Sequence, residues 1–189
     1  MIVGMGTFAG GGLRLLVLGF LVGLTTGWGA ASPAVASEID CEDIDLSLDL
    51  RATEAPQCWR SYGGDGNFRI EIQSIEQRSG DRIIVVEMQR AMRRGSFYRP
   101  TLEDVVEMLF WTDVRDADWG TGISHPDYMA RQLSLTFDDG DTLPCFGFAD
   151  ASMGPYGGAK RIIYGLVCNL NGLAFSESEA AEILAGVHE

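Results

Sequence analysis

The sequence is short of positive charge, short of histidine, and has no second long apolar run. Its 189 residues carry 14 Lys and Arg against 27 Asp and Glu, a formal net charge of -13. A chain so balanced repels polyphosphate backbones and anionic lipid surfaces, which excludes nucleic-acid binding as a first expectation. Histidine occurs twice, as His125 and His188. No Cys-x-x-Cys pair is present, which removes the usual zinc reading. The stretch Gly154-Pro155-Tyr156-Gly157-Gly158 lacks the Gly-Lys-Ser/Thr ending and strand-to-helix setting of a phosphate loop. No internal repeat is visible, and no cofactor or metal is expected.

What is present begins with an export signal. An uncharged Gly-rich opening, the single Arg14, an apolar run from Leu15 to Ala31 and then Ser32-Pro33-Ala34-Val35-Ala36-Ser37 make the pattern of a secretory signal peptide. Cleavage is expected after Ala36, leaving 37–189 as the mature chain. The alternative is a retained anchor, but the run is at the short end of what spans a bilayer and is interrupted by Thr and Gly. No later stretch reaches membrane-spanning length, so no membrane span is expected in the mature chain. That chain keeps 13 of the basic residues and all 27 acidic ones, a formal charge of -14. It is long enough for one domain with a proper core.

All four cysteines, Cys41, Cys58, Cys145 and Cys168, fall in the mature part. An even number in an exported chain reads as a disulfide framework. Of the three pairings, the sequence-local one is expected, Cys41 with Cys58 and Cys145 with Cys168, because the second pair falls on neighbouring predicted strands. The implied compartment is the periplasm or the outside of the cell.

The organisation expected is a leader over 1–36, an acidic disulfide-stapled arm over 37–61, and a single α+β domain over 62–189. A turn cluster at Tyr62–Asn67 leads into an alternating strand through Phe68, Ile70 and Ile72. After a second turn at Ser79–Asp81, Arg82 to Met88 returns as a strand buried on both faces. Thr101 and Asp104 stand at capping-box spacing before an apolar helical stripe of Leu102, Val105, Val106, Leu109 and Phe110. Thr112 to Pro126 reads as the longest loop. Three strands follow, through Leu133–Phe137, Leu143–Ala149 and Arg161–Asn169, with a Gly-rich connection at 152–158. Ser176 and Glu179 box the start of a last helix carrying Ala180, Ile183, Leu184 and Val187 on one face. The fold class expected is α+β, an antiparallel sheet of about five strands covered by two helices, an α/β sandwich.

Candidate chemistry is sparse. Asp113, Asp116 and Asp118 cluster as calcium ligands can, yet their spacing departs from the twelve-residue calcium loop and its closing Glu is missing. His125, flanked by Ser124 and Asp127, would need a nucleophile or a carboxylate folded against it. The one basic cluster, Arg90, Arg93, Arg94 and Arg99, is interleaved with Phe97 and Tyr98, the composition of an interface hot spot. The competing reading pairs these arginines with the acidic arm. Trp111 and Trp119 flank the acidic stretch and add contact area. The binding residues expected are therefore Arg90, Arg93, Arg94, Phe97, Tyr98, Trp111 and Trp119. They suit a non-enzymatic accessory module that meets an envelope protein. The alternative is a small hydrolase using His125 and a nearby carboxylate.

Overall fold

The computed structural model describes residues 36–50, 54–64, 69–92, 96–97, 101–110, 114–150 and 158–189. The expected leader up to Val35, Arg93, Arg94, Arg99, Tyr98, Trp111, Asp113 and most of the 152–158 connection lie outside these residues. Along the chain come β1 (Ser37–Ile39), β2 (Ser47–Leu48), β3 (Gln57–Gly64), β4 (Arg69–Ser79) and β5 (Arg82–Ala91). Helix α1 (Leu102–Phe110) leads to β6 (Val114–Ile123), β7 (Tyr128–Phe137), β8 (Thr142–Asp150) and β9 (Arg161–Asn169). Helix α2 (Glu177–Ala185) and β10 (Val187–His188) close the chain.

The fold is α+β, built on a large antiparallel sheet. It has eight strands rather than five, in the order β1-β3-β4-β5-β9-β8-β7-β6. Two meanders, β3-β4-β5 and β6-β7-β8-β9, meet where β5 pairs with β9. β1 and β3 were not expected, because 37–58 lacks a clear period and Tyr62–Gly64, read as the start of a turn cluster, instead closes β3. The stretch expected as the longest loop contains β6, which is a correction. Register irregularities between Val114 and Asp116 and between Trp119 and Gly122 break its alternation. Bulges of that kind erase the two-residue period by which a strand is recognised, and they also blunt a sheet edge.

Helices lie on opposite faces of the sheet. On one face α2 packs Ala180, Ile183 and Leu184 against Ile84, Val86, Met88, Phe146 and Phe148. On the other, Val105 and Val106 of α1 meet Leu133, Leu135, Cys145, Leu166, Ile162 and Tyr164. Both helices start as their boxes predict. Thr101 N–H donates to Asp104 Oδ2 at 2.7 Å and Asp104 N–H to Thr101 Oγ1 at 3.2 Å. Ser176 and Glu179 make the equivalent reciprocal pair. Val187 was expected on the last helix. Instead Gly186 donates back to Ile183 and ends it, and Val187 pairs with Leu48.

Both expected disulfides form, Cys41–Cys58 and Cys145–Cys168. The first ties the residues after β1 to β3, and the second joins directly opposed residues of β8 and β9. Gly165 of β9 is required by packing, since a Cβ there would stand 2.5 Å from the Phe148 ring and 2.7 Å from the Val85 carbonyl oxygen. α1 packs against β7, β8 and β9. Among the described residues, no apolar cluster includes the side chains that β3, β4 and β5 turn to the α1 face. Among the described residues, α1 thus clads the β7–β9 part of that face.

Candidate functional site

Strand alternation puts Tyr62, Arg69 and Met92 on the α2 face at one end of the β3-β4-β5 meander. Tyr62 opposes Glu71, two residues from Arg69, and Met92 N–H donates to the Arg69 carbonyl at 2.8 Å, carrying the ladder past Ala91. Tyr62 is 54% and Met92 51% exposed, and Arg69 is exposed. The third exposed large hydrophobic among the described residues, Leu173, follows the turn at the opposite end of the sheet, where Leu170 N–H bonds Asp81. An aromatic, a methionine and an arginine gathered at one rim have the make-up of a contact surface.

Arg90 lies on the same face but is engaged within the molecule. Its guanidinium holds Asp45 and Glu189, each at 2.7 Å. Glu189 also pairs with Arg161, which reaches Asp150 at 3.2 Å. Asp45 is tied further to the buried Gln73, whose Oε1 accepts its backbone N–H at 2.9 Å. Arg90 and Gln73 hold the Asp45 carboxyl below its ordinary value. Arg90 thus fastens the segment before β2 and the C-terminal residues onto the sheet, and the pairing with the acidic arm is realised here.

Other expected binding residues are partly buried. Phe97 forms a bridge with Ala159 and packs in the α1 cluster. Trp119, on β6, packs in the α1-side cluster beside Leu133, with the Arg131 guanidinium 5.8 Å from its ring centre. His125 Nδ1 accepts the Asp127 N–H at 3.3 Å and its ring lies 5.4 Å from that of Tyr128. Ser124 N–H is directed at Glu177. These contacts hold a β6–β7 connection in place. Asp116 and Asp118 are exposed on β6, and no group of three or more potential metal ligands occurs among the described residues.

The part of the α1 face formed by β3, β4 and β5 carries chemistry that the sequence reading passed over. Across β3, β4, β5 and β9 the register aligns Trp59, Ser74, Glu87 and Tyr164 in one row. The Tyr164 hydroxyl donates to Glu87 Oε1, and Gln89 Nε2 donates to Glu87 Oε1 at 2.9 Å and to the Tyr164 oxygen at 2.7 Å. Ser74 Oγ donates to Glu87 Oε2 at 3.4 Å. Burial raises the Glu87 carboxyl above its ordinary value against the pull of these hydrogen bonds. Burial and the neighbouring Glu87 push the Tyr164 phenol well above its ordinary range. Glu76, diagonal to Glu87 on the same face, is raised by partial burial and drawn down by Arg78. The signal that finds this cluster is an acid inside the apolar run Ile83–Met88 and a tyrosine inside Ile162–Val167.

No protein-family model, curated protein or solved structure matches the chain.

Proposed function

We propose that the chain is a non-enzymatic binding module exported to the cell envelope, where the rim of Tyr62, Arg69 and Met92, continued in sequence by Arg93 and Arg94, receives a protein partner. The observation that carries this reading is the gathering of two of the three exposed large hydrophobics among the described residues at that rim, with an exposed arginine between them. Aromatic, methionine and arginine side chains are enriched in interface cores, where they supply area and directional hydrogen bonds. Two disulfides are consistent with an extracytoplasmic location. No described helix is long and apolar enough to cross a membrane. His125 serves its own connection, which gives a hydrolytic reading no support from geometry.

A photo-reactive residue placed at Tyr62 or at Met92 in cells is expected to capture one dominant envelope protein. The same group at Leu173 should not. Replacing Arg93 and Arg94 by Glu should abolish capture while leaving the melting temperature unchanged. Equal capture from Leu173, or capture that survives the double charge reversal, would remove the proposal.

A further inference from the structure

The turn that follows β9 brings together the parts of a covalent reaction, at the opposite end of the sheet from the rim and independent of the reading made there. It runs from Asn169 to Leu173, and Asn171 is the one asparagine in the sequence followed by glycine. Asparagine is among the thermolabile residue types. Asn171 and Gly172 are both exposed. Asn171 Oδ1 accepts the Leu173 N–H at 2.9 Å, so its side chain folds back across the Gly172 peptide. Gly172 sits at a φ of 77°, and among the described residues a Cβ there would meet nothing within 4 Å outside its chain neighbours. The Gly172 N–H donates to the Asn169 carbonyl at 3.4 Å, beyond the usual range of an N–H···O bond, so that nitrogen is weakly held. Asn169 differs on each count: it is 6% exposed, precedes Leu170, and its Nδ2 donates to the Leu173 carbonyl at 2.9 Å.

We propose that Asn171 is a site of spontaneous deamidation, converting to aspartate and isoaspartate through a cyclic imide. The Gly172 peptide nitrogen, having lost its proton to hydroxide, attacks the Asn171 side-chain carbonyl carbon. A carbon–nitrogen bond forms, the bond from that carbon to the amide nitrogen breaks, and the amide leaves as ammonia after taking a proton from water. Water then opens the imide at either carbonyl. One opening gives aspartate, and the other gives isoaspartate, whose main chain runs through the β-carbon. Nothing is oxidised or reduced, and water is the only co-reactant. Glycine permits ring closure because, without a Cβ, it leaves the nitrogen approachable and the backbone free to rotate. The Leu173 N–H on Oδ1 draws electron density from the carbon under attack. Asp139 and Gly140 supply an internal comparison: Asp139 Oδ1 accepts the Asp141 N–H at 3.0 Å, and Gly140 sits at a φ of 92° with the same open space. The local geometry is shared, but a carboxylate is a poorer electrophile than an amide, so the ring closes more slowly there. Conversion at Asn171 adds a negative charge to an already acidic chain. Isoaspartate also lengthens by one atom a turn that is closed from Asn169 to Leu173 and tied by the Leu170 N–H to the Asp81 carbonyl at 2.6 Å.

The test is peptide mapping by mass spectrometry of the purified, folded chain after prolonged incubation in mildly alkaline buffer, with electron-transfer fragmentation to separate aspartate from isoaspartate. Asn171 should convert progressively, Asn169 should remain an amide, and isomerisation at Asp139 should lag behind. Asn171→Gln, which would have to close a larger ring, should lose the signal. Gly172→Ala should slow it, but alanine is strained at that φ, so Asn171→Gln is the deciding variant. The same incubation in denaturant gives the reference for an unprotected chain. Asn171 that converts only when the chain is unfolded, or that stays an amide in both states, overturns the proposal. Equal conversion at Asn169 or Asp139 overturns it as well, since the turn would then confer nothing on Asn171.

Discussion

The two halves of the sheet bury their residues by different means. Around β8 and β9 both faces are clad, α1 on one side and α2 on the other, and the strands are nearly continuous apolar runs in which Phe146, Phe148, Tyr164 and Leu166 are almost fully enclosed. In β3, β4 and β5 one face meets the core, and the other mixes Trp59, Ile70, Ile72 and Val85 with Ser74, Glu76 and Gln89 at half-burial, beside the buried Ile83 and Glu87. The clad half has the pattern of a scaffold, in which every side chain is fixed by its neighbours. The β3-β4-β5 part holds apolar and polar side chains together on one face, most of them only half-buried.

The largest effect should come from the clad half. Phe148→Ala removes a fully buried ring that touches Tyr128 and Phe146, so a loss of about 3–5 kcal/mol is expected in denaturant unfolding. Ile72→Ala, on the β3-β4-β5 side, belongs to none of the apolar clusters and should cost about 1 kcal/mol, in the range of a partly exposed site. Equal losses at the two positions would erase the distinction between the halves.

Glu87→Gln sharpens the comparison from the other direction. Glu87 has its carboxyl raised above the ordinary 4.5 by burial, so the folded state holds the proton more tightly than the unfolded chain. Its stabilising contribution is complete below about that value and is lost as pH rises through the folded value. A neutral amide keeps acceptors for Tyr164 and Gln89 and carries no charge to desolvate. Glu87→Gln should therefore melt higher than the native protein near neutral pH, with the gap closing on acidification. A variant less stable at neutral pH would mean that the three donors outweigh the burial cost.

Much of this fold is legible in the sequence where signals are local. The capping pairs Thr101/Asp104 and Ser176/Glu179, five of the strands and both disulfides follow from spacing, alternation and parity. β6 is illegible because two irregularities break its period, and β3 and β1 because pairing of β3 with β4, and of β1 with β3, stabilises them more than their own composition does. The site was less legible than the fold. Composition marks Arg90 as a contact residue, but nothing local announces that Asp45 and Glu189, 45 and 99 residues away, close on it. Glu87 was readable as an acid in an apolar run, though its partners Ser74 and Tyr164 come from strands that only the topology brings together.

The smallest effect belongs to the ion pairs that fasten the ends of the chain to the β3-β4-β5 side. Arg90 and Gln73 hold Asp45 below its ordinary 3.8, so its contribution is present above that value and is lost as pH falls through the folded value. Asp45 is more than half exposed, and a pair of that kind contributes about 0.5 kcal/mol, screened by salt. Asp45→Asn should lower stability by that amount at neutral pH and low ionic strength, and by less in high salt. The pH responses of Asp45 and Glu87 are thus opposite in sign, although both lie on the β3-β4-β5 side. Acidification weakens the fastening on one face while relieving the buried charge on the other. Melting curves of the two single variants across acid to neutral pH should therefore depart from the native curve in opposite directions at the neutral end, Asp45→Asn below it and Glu87→Gln above it, and rejoin it on acidification; curves parallel to the native one would show that neither carboxyl titrates as its surroundings dictate.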